Sequence, residues 1–180
     1  MLYQCIVTHF KWVISVDGSY DASLPDKLTV KHNSFIQDLR DKKIYKDVSY
    51  RIKTGPLDED YIELSSCYVI VDGGYIEWLE LICGYPGTES FRTKYKFTDW
   101  IGSVRKDVEC FFGILKARFR FLKNPITLQN RDDVDNVFYT CCIINNMILS
   151  YDGLDSLWED DVNWSTLNPD NEVEAIIEDN

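Results

Sequence analysis

The sequence predicts an α/β fold, a mixed sheet with flanking helices, on three observations. Residues 67–71, Cys-Tyr-Val-Ile-Val, form an unbroken apolar run without alternation, the pattern of a strand covered on both faces. Residues 99–122 and 132–149 repeat apolar side chains at three- and four-residue steps, the pattern of amphipathic helices. Residues 3–8 and 12–17 are β-prone runs joined across Phe10-Lys11, most simply a hairpin.

Taken in order, the first strand opens only two residues after Met1. If its sheet neighbour lies upstream, these 180 residues lack it. Asp17-Gly18-Ser19 through Pro25-Asp26 is turn-rich and sets Asp26 at the head of the next element. Residues 28–40 are expected to form one surface helix, with Val30, Phe35, Ile36 and Leu39 inward. The stretch 47–61, with Gly55-Pro56 and an acidic cluster, reads as an exposed loop.

The apolar run 67–71 stops at Asp72-Gly73-Gly74, so an acid emerges where open α/β sheets place ligands, outside the carboxyl ends of their strands. The helix over 99–122 would be capped by Thr98 or Asp99, ended by Asn124-Pro125, and buried through Ile101, Val104, Val108, Phe111, Leu115, Phe119 and Leu122. The helix over 132–149 would bury Val134, Val137, Phe138, Cys141, Ile144, Met147 and Ile148. Beyond Asp152-Gly153 the pattern dissolves. The expected organisation is one domain over 1–158 and an acidic, disordered tail over 159–180.

The formal charge is −11, which alone argues against nucleic acid, but its distribution does not. From Asp155 onward there are nine acids and no base, leaving −2 on residues 1–154. Six bases against two acids give Arg105–Lys123 a local charge of +4. The six cysteines form no zinc pattern and sit mostly in apolar runs, so they are expected to be reduced and buried in an intracellular compartment. No secretory leader or membrane-length apolar run is legible.

Four features bear on chemistry, each with a plainer alternative. Asp72 before two glycines is also ordinary turn chemistry. Glu109 lies beside the buried stripe of its helix and shares a face with Arg105 and Gly113. A surface ion pair with Arg105 explains the acid, whereas a mid-helix glycine, costing about 1 kcal/mol relative to alanine, fits close packing against backbone. Asp26 after Pro25 reads equally as a helix start. The basic stretch Lys116–Lys123, interleaved with Phe119 and Phe121, suits phosphate contact or a solvated helix face. Carboxylates gathered at one sheet edge suit a hard cation. Mg²⁺ often takes one or two protein carboxylates plus substrate phosphates, and paired ions activate the attacking oxygen and stabilise the leaving one in phosphodiester transfer.

The segment Ser103-Val-Arg-Lys-Asp-Val-Glu109-Cys-Phe-Phe-Gly-Ile-Leu-Lys-Ala-Arg-Phe-Arg120 closely resembles the third-carboxylate helix of Harbinger-type transposon proteins and their domesticated relatives, within the DDE endonuclease superfamily. Tyr68-Val-Ile-Val-Asp72-Gly-Gly-Tyr75 resembles the family's second-aspartate strand. Thr140-Cys-Cys-Ile-Ile-Asn-Asn-Met-Ile-Leu149 resembles its later helix, with Asn145 in place of the usual histidine. Asp26 matches the aspartate of the family's Gly-Ser-x-x-Asp segment, here drawn out from Gly18.

The resemblance implies a ribonuclease-H-like fold lacking its first strand, whose Asp-Gly-x-His aspartate has no counterpart here. It implies Asp26, Asp72 and Glu109 as catalytic metal ligands for Mg²⁺ or Mn²⁺, and cleavage and joining of DNA strands. It also implies a nuclear location and a separate DNA-binding partner protein. The alternative is a catalytically dead, transposase-derived interaction domain whose carboxylates serve as turns and salt bridges.

Overall fold

The computed structural model describes residues 1–53, 61–75, 78–85, 92–125 and 127–154. The expected tail lies outside these residues. The described elements, in order, are β1 (Leu2–Val7), β2 (Val13–Tyr20), α1 (Asp26–His32), α2 (Ser34–Arg40), β3 (Ser49–Lys53), β4 (Tyr61–Ser65), β5 (Val69–Ile70), β6 (Leu81–Ile82), α3 (Arg92–Arg118) and α4 (Arg131–Tyr151). A 3-10 turn over Arg120–Lys123 follows α3.

The fold is α/β, but its strands do not join into one mixed sheet. Among the described residues they form three two-stranded ladders: β1 with β2 antiparallel, β3 with β4 antiparallel, and β5 with β6 parallel. The expected hairpin is therefore present, with Cys5 opposite Val16 and Ile6 opposite Ser15. The stretch read as a loop supplies β3 and β4, while residues 54–60 lie outside the description. The apolar run 67–71 contributes only a two-residue strand, half-buried rather than fully enclosed.

The β1–β2 hairpin is the middle layer. Alternation along β1 sends Tyr3, Cys5 and Val7 to one face, where they meet Val13, Phe111, Leu115, Phe138, Cys141 and Cys142. Tyr3 stacks on Phe138 with ring centroids 4.1 Å apart. On the other face Ile6 joins Val30, Ile36 and Leu81, backed by Val69, Val71, Tyr75 and Trp78. So α3 and α4 cover one side of the hairpin and α1 and α2 the other, where side chains of Val69, Val71 and Leu81 join the same cluster.

Each helix departs from expectation for a local reason. The single helix over 28–40 is two, because Asn33 is extended and its side-chain oxygen accepts the Ile36 N–H, capping α2. Its amide also donates to Gln4 Oε1, tying the break to β1. Helix α3 begins earlier than expected, so Thr98 lies inside it and donates to the Lys94 carbonyl rather than capping. It ends at Arg118, and Val104, expected inward, is 49% exposed.

On α4 the buried stripe is Val134, Phe138, Cys141, Cys142, Asn145 and Leu149, which turns Ile144 and Met147 outward. The reason is Asn145, which is fully buried, accepts from Arg118 Nη1 at 2.6 Å and donates to the Lys11 carbonyl at 3.2 Å. A hydrophobic pattern is blind to a buried amide whose partners are remote in sequence. All six cysteines are free, as expected, but Cys110 is exposed. No helix among the described residues is long and apolar enough to cross a membrane.

Candidate active site

Asp72 leaves β5 through Val71, whose N–H is held by the Ile82 carbonyl, and enters a turn closed by Tyr75 N–H bonding the Asp72 carbonyl. One carboxylate oxygen accepts the Gly73 N–H at 2.7 Å. The turn role and exposure coexist, for the side chain remains 63% exposed.

Asp26 is the first residue of α1. The residue before it, Pro25, makes no side-chain cap. Its Oδ2 lies against the turn that follows Asp72: a Cβ built on Gly74 would stand 3.1 Å from it. Residues 46 positions apart in sequence thus meet at one wall. Asp26 and Asp72, with Tyr75 and Arg105, line a cavity of about 280 Å³ that continues between β1 and β5.

Glu109 is not part of that wall. It stands on the outer flank of α3, 57% exposed, and Arg105 one turn earlier lies between it and Asp72, with Nη1 at 2.9 Å from Glu109 Oε1 and 3.8 Å from Asp72 Oδ2. Exposed pairs of this kind contribute a few tenths of a kcal/mol. Among the described residues no three His, Cys, Asp or Glu side chains stand close enough to hold one ion. Of the three expected ligands, then, the fold brings two to one cavity and joins the third through a guanidinium. The two carboxylates at the cavity suit a hard cation that completes its shell with water and phosphate; the three together do not make a closed cage.

Tyr75 is a participant that sequence reasoning quoted but gave no role. It is half-buried and lines the same cavity as both aspartates, and its hydroxyl accepts from Gln4 Nε2 at 3.1 Å. Burial pushes its ionisation up, and the negative charges of Asp26 and Asp72 push it further, so it stays a neutral hydroxyl. Only its spacing, three residues after Asp72, signalled it.

The basic stretch divides. Arg118 is committed to Asn145 and so supports the fold, whereas Lys116, Arg120 and Lys123 are exposed at the end of α3 and in the turn beyond it. Earlier on α3, Asp107 accepts from Lys11 Nζ and His9 Nδ1, each at 2.6 Å.

A family model described as DDE superfamily endonuclease matches residues 1–146. The chain is also similar to Protein ALP1-like of Arabidopsis thaliana, at 22% identity over 151 residues that cover 83% of this chain and 35% of that protein. It therefore spans about a third of the length of that relative. No solved structure matches it.

Proposed function

The chain belongs to the DDE superfamily endonuclease family, and from that membership we propose that it is a metal-dependent DNA-cleaving and strand-joining domain built on Asp26, Asp72 and Glu109. The family generally uses divalent metal ions; Mg²⁺ or Mn²⁺ is the ion proposed here. The observation that carries the reading is the meeting of Asp26 with the Asp72 turn at one cavity mouth.

Asp26 and Asp72 would hold the ion at the cavity wall where they meet. When bound, the ion supplies Lewis-acid activation of a phosphodiester. Tyr75 keeps a neutral hydroxyl in the same cavity. Arg105 has two anionic neighbours, and a DNA phosphate at the cavity mouth competes for it as a charge-assisted partner. Turning Arg105 to that phosphate frees Glu109 to complete the set. Lys116 near the end of α3, and Arg120 and Lys123 in the turn beyond it, meet backbone phosphates. The finer fold proposed is a ribonuclease-H-like sheet short of its first strand, acting in the nucleus with a separate protein that reads the DNA sequence.

Calorimetric titration with Mn²⁺ tests this. Weak binding is expected, lost in Asp26→Asn, Asp72→Asn and Glu109→Gln. No heat, or heat unchanged by all three substitutions, removes the site.

One observation favours a second reading, that of an inactive interaction domain: Arg105 already supplies positive charge to Asp72 and Glu109. Arg105→Gln separates the two. If an ion belongs there, losing the competing guanidinium tightens Mn²⁺ binding roughly tenfold, the effect of a nearby like charge of about 1.4 kcal/mol. If Arg105 is the permanent partner, the variant binds no Mn²⁺ and is only slightly less stable.

A further inference from the structure

The turn that closes α3 divides its side chains between core and solvent. Phe119 and Leu122 pack against the core that holds Leu115 and Phe138. Arg120, Phe121, Lys123 and Asn124 are exposed, Phe121 by 42%. The backbone is held at both ends, by the Phe119 N–H on the Leu115 carbonyl and the Asn124 N–H on the Phe121 carbonyl. Arg118, just before the turn, is fastened to the buried Asn145. An aromatic ring and two cations thus project from a turn whose own frame is fixed.

A single exposed aromatic is ordinary on a protein surface and by itself signifies nothing. Here the charge around it is one-sided. Residues 110–130 hold Lys116, Arg118, Arg120 and Lys123 and no acid. Among the described residues Lys116, Arg120 and Lys123 enter no ion pair. In a 3-10 turn residues three apart eclipse, so Arg120 and Lys123 stack on one edge, about 6 Å apart along the axis. Two cations in a row suit neighbouring phosphates of one strand, and the ring beside them suits a flat apolar partner. Paired bases hide their faces inside the duplex stack. An unpaired base offers a free π-face on the same chain as the phosphates.

The turn also lies in line with the carboxylate of α3. Lys116 follows Glu109 by seven residues, two turns on along the same exposed face, about 10 Å down the helix axis. Arg120 comes one further turn on. A strand leaving Glu109 along this face reaches the turn after roughly 16 Å, about five nucleotides at about 3.4 Å of rise.

We propose that the turn over Arg120–Lys123 is a single-strand subsite, in which Phe121 stacks on an unpaired base while Arg120 and Lys123 hold the phosphates on either side of it. The proposal rests on the DNA reading given above and adds the form of the DNA, an unpaired segment a few nucleotides from the carboxylates. It does not depend on metal binding.

The test uses the full chain at low salt without divalent ions, so that no strand is cut. The probes are a short oligodeoxythymidine carrying one 5-iododeoxyuridine, a blunt duplex with the same number of phosphates, and a polyglutamate peptide of the same charge. Fluorescence anisotropy reads affinity, and irradiation couples the iodinated base to a ring it stacks on. The single strand is expected to bind more tightly than the duplex and to couple to Phe121. Phe121→Ala is expected to weaken the single strand about tenfold, one stacked base's worth, and to leave the duplex unaffected. The salt dependence is expected to stay the same, because the ring carries no charge. Phe121→Tyr is expected to bind as the parent chain does. Replacing Arg120 and Lys123 together by Gln is expected to lower the salt slope by about 1.4, two phosphates' worth on a single strand.

Equal losses for strand and duplex in Phe121→Ala make the ring a wedge for paired DNA and overturn the proposal. No loss in either makes the ring a bystander and overturns it too. Polyglutamate that binds as tightly as the strand, and depends equally on Phe121, makes the turn an acidic-peptide site, with the same result. Absence of binding to any oligonucleotide also overturns it. Mn²⁺ heat that is absent while Phe121-dependent strand binding persists removes the metal site and leaves the subsite standing. Mn²⁺ heat that is present while Phe121→Ala changes nothing removes the subsite alone.

Discussion

At the scale of single residues, the buried polar groups carry consequences that hydrophobic pattern does not reveal. Asn145 ties Arg118 on α3 to the Lys11 carbonyl beyond β1. Asn145→Ala leaves that carbonyl without its partner, and the expected loss is about 1–3 kcal/mol in urea unfolding. Asp107 gives a pH signature. Although burial raises its ionisation, bonds from Lys11 and His9 outweigh this and hold the carboxyl below its ordinary value of 3.8. A depressed carboxylate contributes stability that is full above the unfolded value and lost as pH falls through the folded one. Thermal unfolding between pH 6 and pH 3 is therefore expected to weaken below about pH 4, and Asp107→Asn to flatten that fall. The site carboxylates show the same division of legibility. Asp72 was readable because an apolar run ended on it, whereas the contact of Asp26 with the Gly74 turn is a tertiary fact with no local trace.

At the scale of elements, the helices were legible as elements but not in their boundaries or facing. Periodicity found α3 and α4 because Phe111, Leu115, Val134 and Phe138 repeat at helical steps and are buried. It placed Met147 inward because apolar residues recur at 141, 144 and 147, and a pattern of apolar residues cannot know that Asn145 is satisfied inside. Asn33 misled in the same way. Read as an ordinary helix residue, it is the cap that divides α1 from α2 and a partner of Gln4. Asn33→Ala is expected to cost about 1–2 kcal/mol, with lost helicity confined to α2 in amide exchange. Asn33→Asp keeps the cap oxygen and is expected to recover part of that loss. The β3–β4 hairpin escaped notice because Ile52, Tyr61 and Ile62 are exposed, so no buried face imposed a pattern. An isolated two-strand hairpin is marginal, and its amides are expected to exchange faster than those of β1 and β2.

At the scale of the whole molecule, charge is the property that sequence states best. Residues 155–180 carry nine acids and no base, and the remainder is close to neutral. An anionic segment competes with DNA for the exposed bases of the α3 end, so truncation after Leu154 is expected to strengthen binding to a random duplex. Fluorescence anisotropy at low salt would show this, with the gain shrinking as salt rises. Affinity unchanged by truncation would mean that the tail does not act on that surface. The layering was legible only in part. Sequence indicated strands and helices, but the separation of β1 from β5 depends on how remote edges are spaced, which no local pattern encodes.

A Cβ added at position 74 would stand 3.1 Å from Asp26 Oδ2, and that has a mechanical consequence. The turn after β5 and the head of α1 behave as meshed teeth: a hydrogen at position 74 clears the carboxylate, and a methyl group presses on it. Gly74→Ala displaces a carboxylate by a few tenths of an ångström without altering any charge, so stability is expected to change by less than about 0.5 kcal/mol. Because a metal shell tolerates only about 0.2 Å of misfit, Mn²⁺ affinity is expected to fall. Position 74 is thus a gauge of tolerance, and a single methyl group reads how finely the two aspartates are set.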